Sequence, residues 1–297
     1  MEYKAPAAKQ ATGTERMKSM DEFLMKPKID FAFKEIMYDE TALKGFISAV
    51  LELELQKIKS VKILTPNLRK VHEGDKQGIL DVNVLMNDDT EINTEIQLSE
   101  LLVWPERSSF YLFKKFVDQI KEGEPYSIFR KCVSISILDF KLFKDEEPFY
   151  SRFHIMEDTR HFVYTDKIEF HIIELPKLPK EIQENSSDLL LWAKFFAAEK
   201  KEEFEVLAGM NEGIRSAYER LQVISQDDEK RMEYDARMKA LRDYNQGMLE
   251  AEERGIEKGS NNRALSIAKN LVLANVPIDI IINSTGLSEE EIRTLKQ

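Results

Sequence analysis

The sequence predicts a mixed α/β domain followed by an all-helical C-terminal region. The hydrophobic period carries that prediction. Apolar residues recur at three- and four-residue spacings up to about residue 55, the period drops to two within residues 78–98, and beyond Pro179 the helical spacing returns. The turn cluster Asn87-Asp88-Asp89-Thr90 also separates two alternating runs, which together read as a β-hairpin.

Residues 1–21 are polar and alanine-rich, without an apolar leader-like stretch, and read as a disordered tail. The α/β domain is expected over residues 22–180. Its first part, residues 21–55, reads as helix: Phe23, Leu24, Phe31, Phe33, Ile36 and Met37 repeat at helical spacing, interrupted by Pro27. A second helix starting near Thr41 is expected to bury Leu43, Phe46, Ile47, Val50 and Leu51. Residues 58–64 then read as a strand and residues 66–78 as a polar loop holding His72, Glu73 and Asp75. In the hairpin, Leu80, Val82, Val84 and Met86 share one face of the first strand. Ile92, Ile96 and Leu98 share one face of the second, opposite Glu91, Asn93, Glu95 and Gln97. Asp81 is expected as a solvent-facing strand acid.

After Pro105 a helix is expected to about residue 122, with Phe110, Phe113, Phe116, Val117 and Ile120 as its apolar positions and Gly123 as its stop. Val133, Ile135 and Ile137 mark a strand, and weaker strand signals lie at residues 153–156, 162–165 and 168–175. Residues 181–259 form a helical extension: an apolar helix over 188–198, then a stretch over 225–259 dense in both charge signs. That stretch reads as a solvated or self-associating helix. Residues 260–297 suggest three short helices at 264–274, 278–282 and 288–295. Thr285-Gly286-Leu287 forms a tight turn there, and Ser288 and Glu291 a capping box. This tail is similar to a small helix-turn-helix, which makes it a candidate DNA contact.

Composition narrows the function. Hydrophobic residues at 42% and charged residues at 33% of 297 describe a globular chain with a full-sized core rather than a disordered one. No apolar run reaches the ~20 residues of a membrane span. A single cysteine, Cys132, cannot form an intramolecular disulfide, which suits a reduced, cytoplasmic setting. The net charge of -11, from 43 basic and 54 acidic residues, argues against coating nucleic acid by bulk charge. It leaves open an enzyme that gathers carboxylates around a metal and meets phosphates with a few local cations. Neither a P-loop nor a Gly-rich dinucleotide fingerprint is present, against nucleotide hydrolysis and hydride transfer.

Metal-dependent phosphodiester cleavage needs hard oxygen ligands converging on one point, because Mg2+ takes near-octahedral oxygen coordination. Glu95 and Gln97, two apart on one strand, point the same way. Asp81 joins them only if it opposes Glu95 or Gln97, which requires an odd-length connection or a bulge. A four-residue loop over 87–90 would set it beside Ile96 instead. Surface decoration is the competing reading of the two acids.

Asp30-Phe31-Ala32-Phe33-Lys34, Ile79-Leu80-Asp81-Val82 and Glu95-Ile96-Gln97 occur in that order. Arg107-Ser108-Ser109-Phe110-Tyr111, Gly123-Glu124-Pro125-Tyr126 and Glu174-Leu175-Pro176-Lys177 follow. Together they resemble the PD-(D/E)XK nuclease superfamily, in its branch of transposase-like, recombination-promoting bacterial nucleases. The resemblance implies a restriction-endonuclease-like core, a mixed β-sheet flanked by helices, and a Mg2+-dependent DNA endonuclease, with Mn2+ as a possible substitute. It implies Asp81, Glu95 and the backbone carbonyl of Ile96 as metal ligands, with Gln97 where most of the superfamily carries lysine. An amide can orient the attacking water but cannot stabilise developing negative charge as an ammonium does.

Lys34 is the candidate for the missing positive charge, and with Arg107 a candidate phosphate contact; a structural salt bridge is the alternative for Arg107. Asp30 or Glu35 could add a third carboxylate or serve only as cap or surface. Tyr111 and Tyr126 are expected to pack, Glu174 and Lys177 to pair, and His72, His154, His161 and His171 to be ordinary residues without zinc-like spacing. DNA and a second copy of the chain are the expected partners, in a homodimer or higher homo-oligomer, with no membrane. A second reading keeps the fold without catalysis: a DNA-binding or assembly protein, motivated by the absent lysine and the acidic charge.

Overall fold

The computed structural model describes residues 23–64, 81–87 and 89–295. The expected tail over residues 1–21, the polar loop with His72, Glu73 and Asp75, and residues 78–80 before the hairpin lie outside those residues. The described residues divide into two compact units, one up to Arg237 and one from Met238 on.

The first unit is built on a six-stranded sheet in the order β1-β2-β3-β4-β6-β5. Its strands are β1 (Val61–Ile63), β2 (Val82–Met86), β3 (Thr90–Gln97), β4 (Lys131–Leu138), β5 (Tyr150–Met156) and β6 (Val163–Glu174). β3, β4 and β6 run parallel, while β1, β2 and β5 join antiparallel. Helices α1 (Asp30–Met37) and α2 (Glu40–Leu51) precede the sheet, and α3 (Trp104–Val117) is the crossover between parallel β3 and β4. Helices α4 (Asp188–Ala197), α5 (Lys201–Met210) and α6 (Glu212–Gln226) return to pack beside α1 and α2. This is the expected mixed sheet flanked by helices with a helical C-terminal region.

Local chemistry explains the boundaries. Asp39 caps α2 by accepting from the Ala42 N–H at 2.8 Å, and Ser187 and Asn211 cap α4 and α6 in the same way. Phe33, Phe46, Trp192, Phe195, Phe196 and Phe204 are fully buried and meet edge to face in the helical layer. α2 and α6 cross there at two glycines. A Cβ on Gly45 would lie 3.0 Å from Gly213 Cα and 3.3 Å from the Trp192 ring. Gly45→Val is therefore expected to destabilise by about 1–3 kcal/mol through overpacking, read as a lower urea midpoint at unchanged slope. An unchanged midpoint would show that the crossing can open freely.

Several expectations need correction. Helix begins at Asp30 rather than near residue 21, because Pro27 disfavours helical backbone before it. Met25 is buried all the same, its N–H donating to Ser225 Oγ at 3.0 Å. α3 ends at Val117, and Gly123 sits at φ +84 in the turn beyond. The buried face of α3 also differs from the expected one: Trp104, Ser108, Tyr111, Leu112 and Lys115 are buried, whereas Phe110, Phe113 and Val117 are about half exposed. The helix turns toward the sheet the side whose Lys115 and Trp104 match the mixed polar and apolar surface of β2, β3 and β4. The two strand signals at 162–165 and 168–175 are one strand, β6, whose pairing with β5 shifts register after His154.

The charged helix α7 (Asp228–Leu273) starts after Asp227, whose Oδ1 accepts from the Lys230 N–H at 3.0 Å. It runs through Gly259, so the helix expected at 264–274 is its last part. Two short helices follow, α8 (Ile278–Thr285) and α9 (Glu289–Thr294). Gly286 at φ +73 closes α8, and the Ser288–Glu291 capping box opens α9 as expected. Ala268, Ile281, Leu287 and Ile292 form the core of this second unit. Among the described residues no helix is long and apolar enough to cross a membrane.

Candidate active site

The hairpin register decides whether the two acids meet. Met86 pairs with Thr90, so three residues connect β2 and β3, and Val82 pairs with Thr94. Continued by one residue, that register sets Asp81 across from Glu95. Opposed residues share a face, so Asp81, Asn83, Glu91, Asn93, Glu95 and Gln97 line one side of the hairpin. β4 extends the row, with Ser134 beside Asn93 and Ser136 beside Glu95.

That side does not face open water. Helix α3 lies over it, and Asn83, Asn93, Glu95, Ser134 and Ser136 are all buried. The Asp81 side chain is 20% exposed and that of Glu95 7%. The expectation of a solvent-facing acid is thus corrected: α3 brings Arg107 and Lys115 down onto the polar row and buries it. Lys115, itself buried, bonds Asn83 and lies 3.6 Å from Glu91, while burial lowers its pKa.

Each carboxylate has its own partners. Asp81 Oδ1 lies 3.0 Å from Lys34 Nζ on α1, and Asp81 Oδ2 accepts from the Ile96 N–H at 3.1 Å. Burial holds the Asp81 pKa above the ordinary carboxylate value, against the pull of Lys34 and the Ile96 N–H, with Asp30 adding repulsion. Glu95 Oε1 accepts from Asn93 Nδ2 at 3.0 Å, and Oε2 lies 4.0 Å from Arg107 Nε. Burial pushes Glu95 up to about 7; the Asn93 bond and the Arg107 and Lys34 charges oppose the shift, and Asp81 adds to it. Two carboxylates that each hold a raised pKa and repel one another are a place where a cation is welcome. The Gln97 carbonyl accepts from the Asp139 N–H of the β4 side at 2.9 Å. Backbone groups alternate sides along a strand, so the Ile96 carbonyl points, like its N–H, to the β2 side. Two carboxylates and a carbonyl are hard oxygen donors, which fit a small divalent cation.

The other candidates are placed as follows. Gln97 Nε2 donates to the Ser99 carbonyl at 3.1 Å, so the amide nitrogen is turned to its own backbone. The Arg107 guanidinium stacks over Tyr111 at 4.9 Å and beside Trp104 at 5.9 Å. Glu35 is bound by Arg220 at 2.7 Å and by Lys230. Asp30 stands at the start of α1, 3.9 Å from Arg237. Tyr111 is buried as expected, but Tyr126 is 82% exposed and only stacks on Phe129. Glu174 and Lys177 form the expected pair at 2.7 Å, and Glu174 also accepts from the Leu142 and Phe143 N–H groups.

His171 departs from its expectation as an ordinary strand residue. It is fully buried on the opposite face of the sheet, with Nε2 3.1 Å from Glu169 and Nδ1 2.8 Å from Tyr150 Oη. Glu169 also takes Arg152 at 2.6 Å and Lys131. These partners hold Glu169 below the ordinary range in spite of its burial, while burial lowers the His171 pKa against the pull of Glu169. The cluster ties β4, β5 and β6 together. Sequence reasoning also passed over Asn93, although an asparagine inside an alternating strand is disfavoured and so a signal in itself.

A family model described as PD-(D/E)XK nuclease family transposase matches residues 27–251. Searches of curated proteins and of solved structures return no match.

Proposed function

The chain belongs to the PD-(D/E)XK nuclease transposase family, and from that premise we propose that it is a metal-dependent DNA endonuclease, hydrolysing phosphodiester bonds in recombination or mobile-element activity. The observation that supports this most is the placement of Asp81 across from Glu95, with the Ile96 N–H bonded to Asp81. Asp81, Glu95 and that carbonyl would hold Mg2+, or Mn2+ in its place. The bound ion supplies charge that polarises the phosphoryl oxygen and acidifies the attacking water.

The side chains then divide the remaining work. Lys34 already sits on Asp81 at 3.0 Å and brings a positive charge to the side where the lysine of the superfamily is missing. It neutralises the site before substrate arrives and faces the phosphate when DNA is bound. Gln97 keeps its amide oxygen to accept from a water, its nitrogen being held by Ser99. Arg107, stacked on Tyr111 and partly exposed, offers its guanidinium fork to a phosphate. DNA is the substrate, the cytoplasm the setting, and a homodimer or higher homo-oligomer the working form, since a double-strand cut asks for two sites. Tyr244, Met248, Leu249 and Ile256 are exposed apolar side chains on α7, available to self-association.

Plasmid incubated with EDTA, Mg2+ or Mn2+ tests the reading. Nicking and linearisation only with metal is the expected result. The engagement of Gln97 by Ser99 favours the second reading, a catalytically inactive DNA-binding or assembly protein. DNA bound equally well in EDTA, and not cut under either metal, would establish it instead.

A further inference from the structure

We propose that Asn93 is a positioning residue, which fixes the Glu95 carboxylate so that one oxygen is held back and the other is presented to the cation. The inference rests on the metal-dependent reading of Asp81 and Glu95. Asn93 and Glu95 are two apart on β3 and share its buried polar face. Asn93 Nδ2 donates to Glu95 Oε1 at 3.0 Å, and among the described residues the nearest cation to Oε2 is Arg107, at 4.0 Å. A buried glutamate bonded on one oxygen only is restrained in rotation. Restraint of this kind around a liganding carboxylate sets both its orientation and its affinity for the ion.

Asn93 is badly placed for any purpose of its own. It is 3% exposed in the middle of a strand, directly opposite Asn83, where a β-branched or aromatic side chain would fill the space better. Its Oδ1 is buried with no hydrogen-bond partner among the described residues. An unsatisfied buried acceptor costs stability, on the order of 1–3 kcal/mol. The residue therefore carries a penalty to direct its amide at Glu95.

The roles separate in one experiment. Mn2+ binding to the full-length parent, Asp81→Ala, Asn93→Val and Asn93→Ser is followed by calorimetry, with thermal midpoints in EDTA. The expected result is Mn2+ binding by the parent, none by Asp81→Ala, and binding about 10–100-fold weaker in both Asn93 variants. Asn93→Val should match or exceed the parent in thermal midpoint, and cleavage by both variants should recover as Mn2+ is raised. Parental Mn2+ affinity in either folded Asn93 variant, with the Asp81 dependence intact, overturns the positioning role alone. A parent that binds no Mn2+ overturns the metal reading together with it. Should the valine variant fail to fold, the smaller serine variant reads the same affinity.

Discussion

Asp81→Ala is expected to lower metal-dependent cleavage of plasmid DNA by about 10³-fold or more while leaving the thermal midpoint near that of the parent. A bound divalent cation contributes several kcal/mol to stabilising the charge of the transition state, and each 1.36 kcal/mol is a factor of about ten in rate. Loss of one of two carboxylate ligands forfeits most of that. The fold tolerates the change because two effects oppose. Alanine leaves Lys34 and the Ile96 N–H without their acceptor, at a cost on the order of 1–3 kcal/mol for each donor left unpaired and less where water reaches it. It also removes a carboxylate whose burial disfavours its charge and which repels Glu95. A variant that cuts within tenfold of the parent would remove Asp81 from the site.

Glu95→Gln is expected to abolish cleavage and yet stabilise the metal-free protein at pH 8. Burial raises Glu95 from an ordinary value of 4.5 to about 7. A raised native pKa means that the native state keeps the proton while the unfolded chain has already lost it. The contribution of Glu95 to stability is therefore whole below about pH 4.5, falls as pH rises through 7, and stays low above. Glutamine has no such loss and can still accept from Asn93. The variant should gain about 1–3 kcal/mol over the parent at pH 8 and little at pH 5. Added Mn2+ should reverse the order at pH 8, because only the parent has the charge to hold it. Thermal midpoints at the two pH values, with and without Mn2+, check all four corners. A glutamine variant less stable than the parent at pH 8 in EDTA would mean that Glu95 is a structural anion paired to Arg107.

The hairpin, the parallel strand after it and the helical C-terminal region were legible because their periods are clean. Val84, Met86, Ile92 and Ile96 alternate against polar neighbours, and Val133, Ile135 and Ile137 do the same. Two kinds of information were not in the pattern. The register of β2 on β3 depends on a three-residue connection that the turn cluster left open. The wet or dry state of the polar row depends on which side of α3 faces it. Phe110, Phe113 and Val117 outweigh the true inner face in hydrophobicity, so a count of apolar positions turns the helix the wrong way. Lys115 and Trp104 settle it only once the polar row exists to receive a lysine. The Glu169–His171 cluster escaped notice for the same reason, since Arg152, Tyr150 and Lys131 reach it from other strands.

Asp81 and Glu95 are proposed to hold one divalent cation. Crystals of the full chain soaked in Mn2+, with anomalous scattering recorded at the manganese edge, test this most directly. The expected result is a single strong peak between the Asp81 and Glu95 carboxylates and beside the Ile96 carbonyl, with Asn93 still bonded to Glu95. A peak at other side chains, with Lys34 still seated on Asp81 and no density between the two acids, would contradict it.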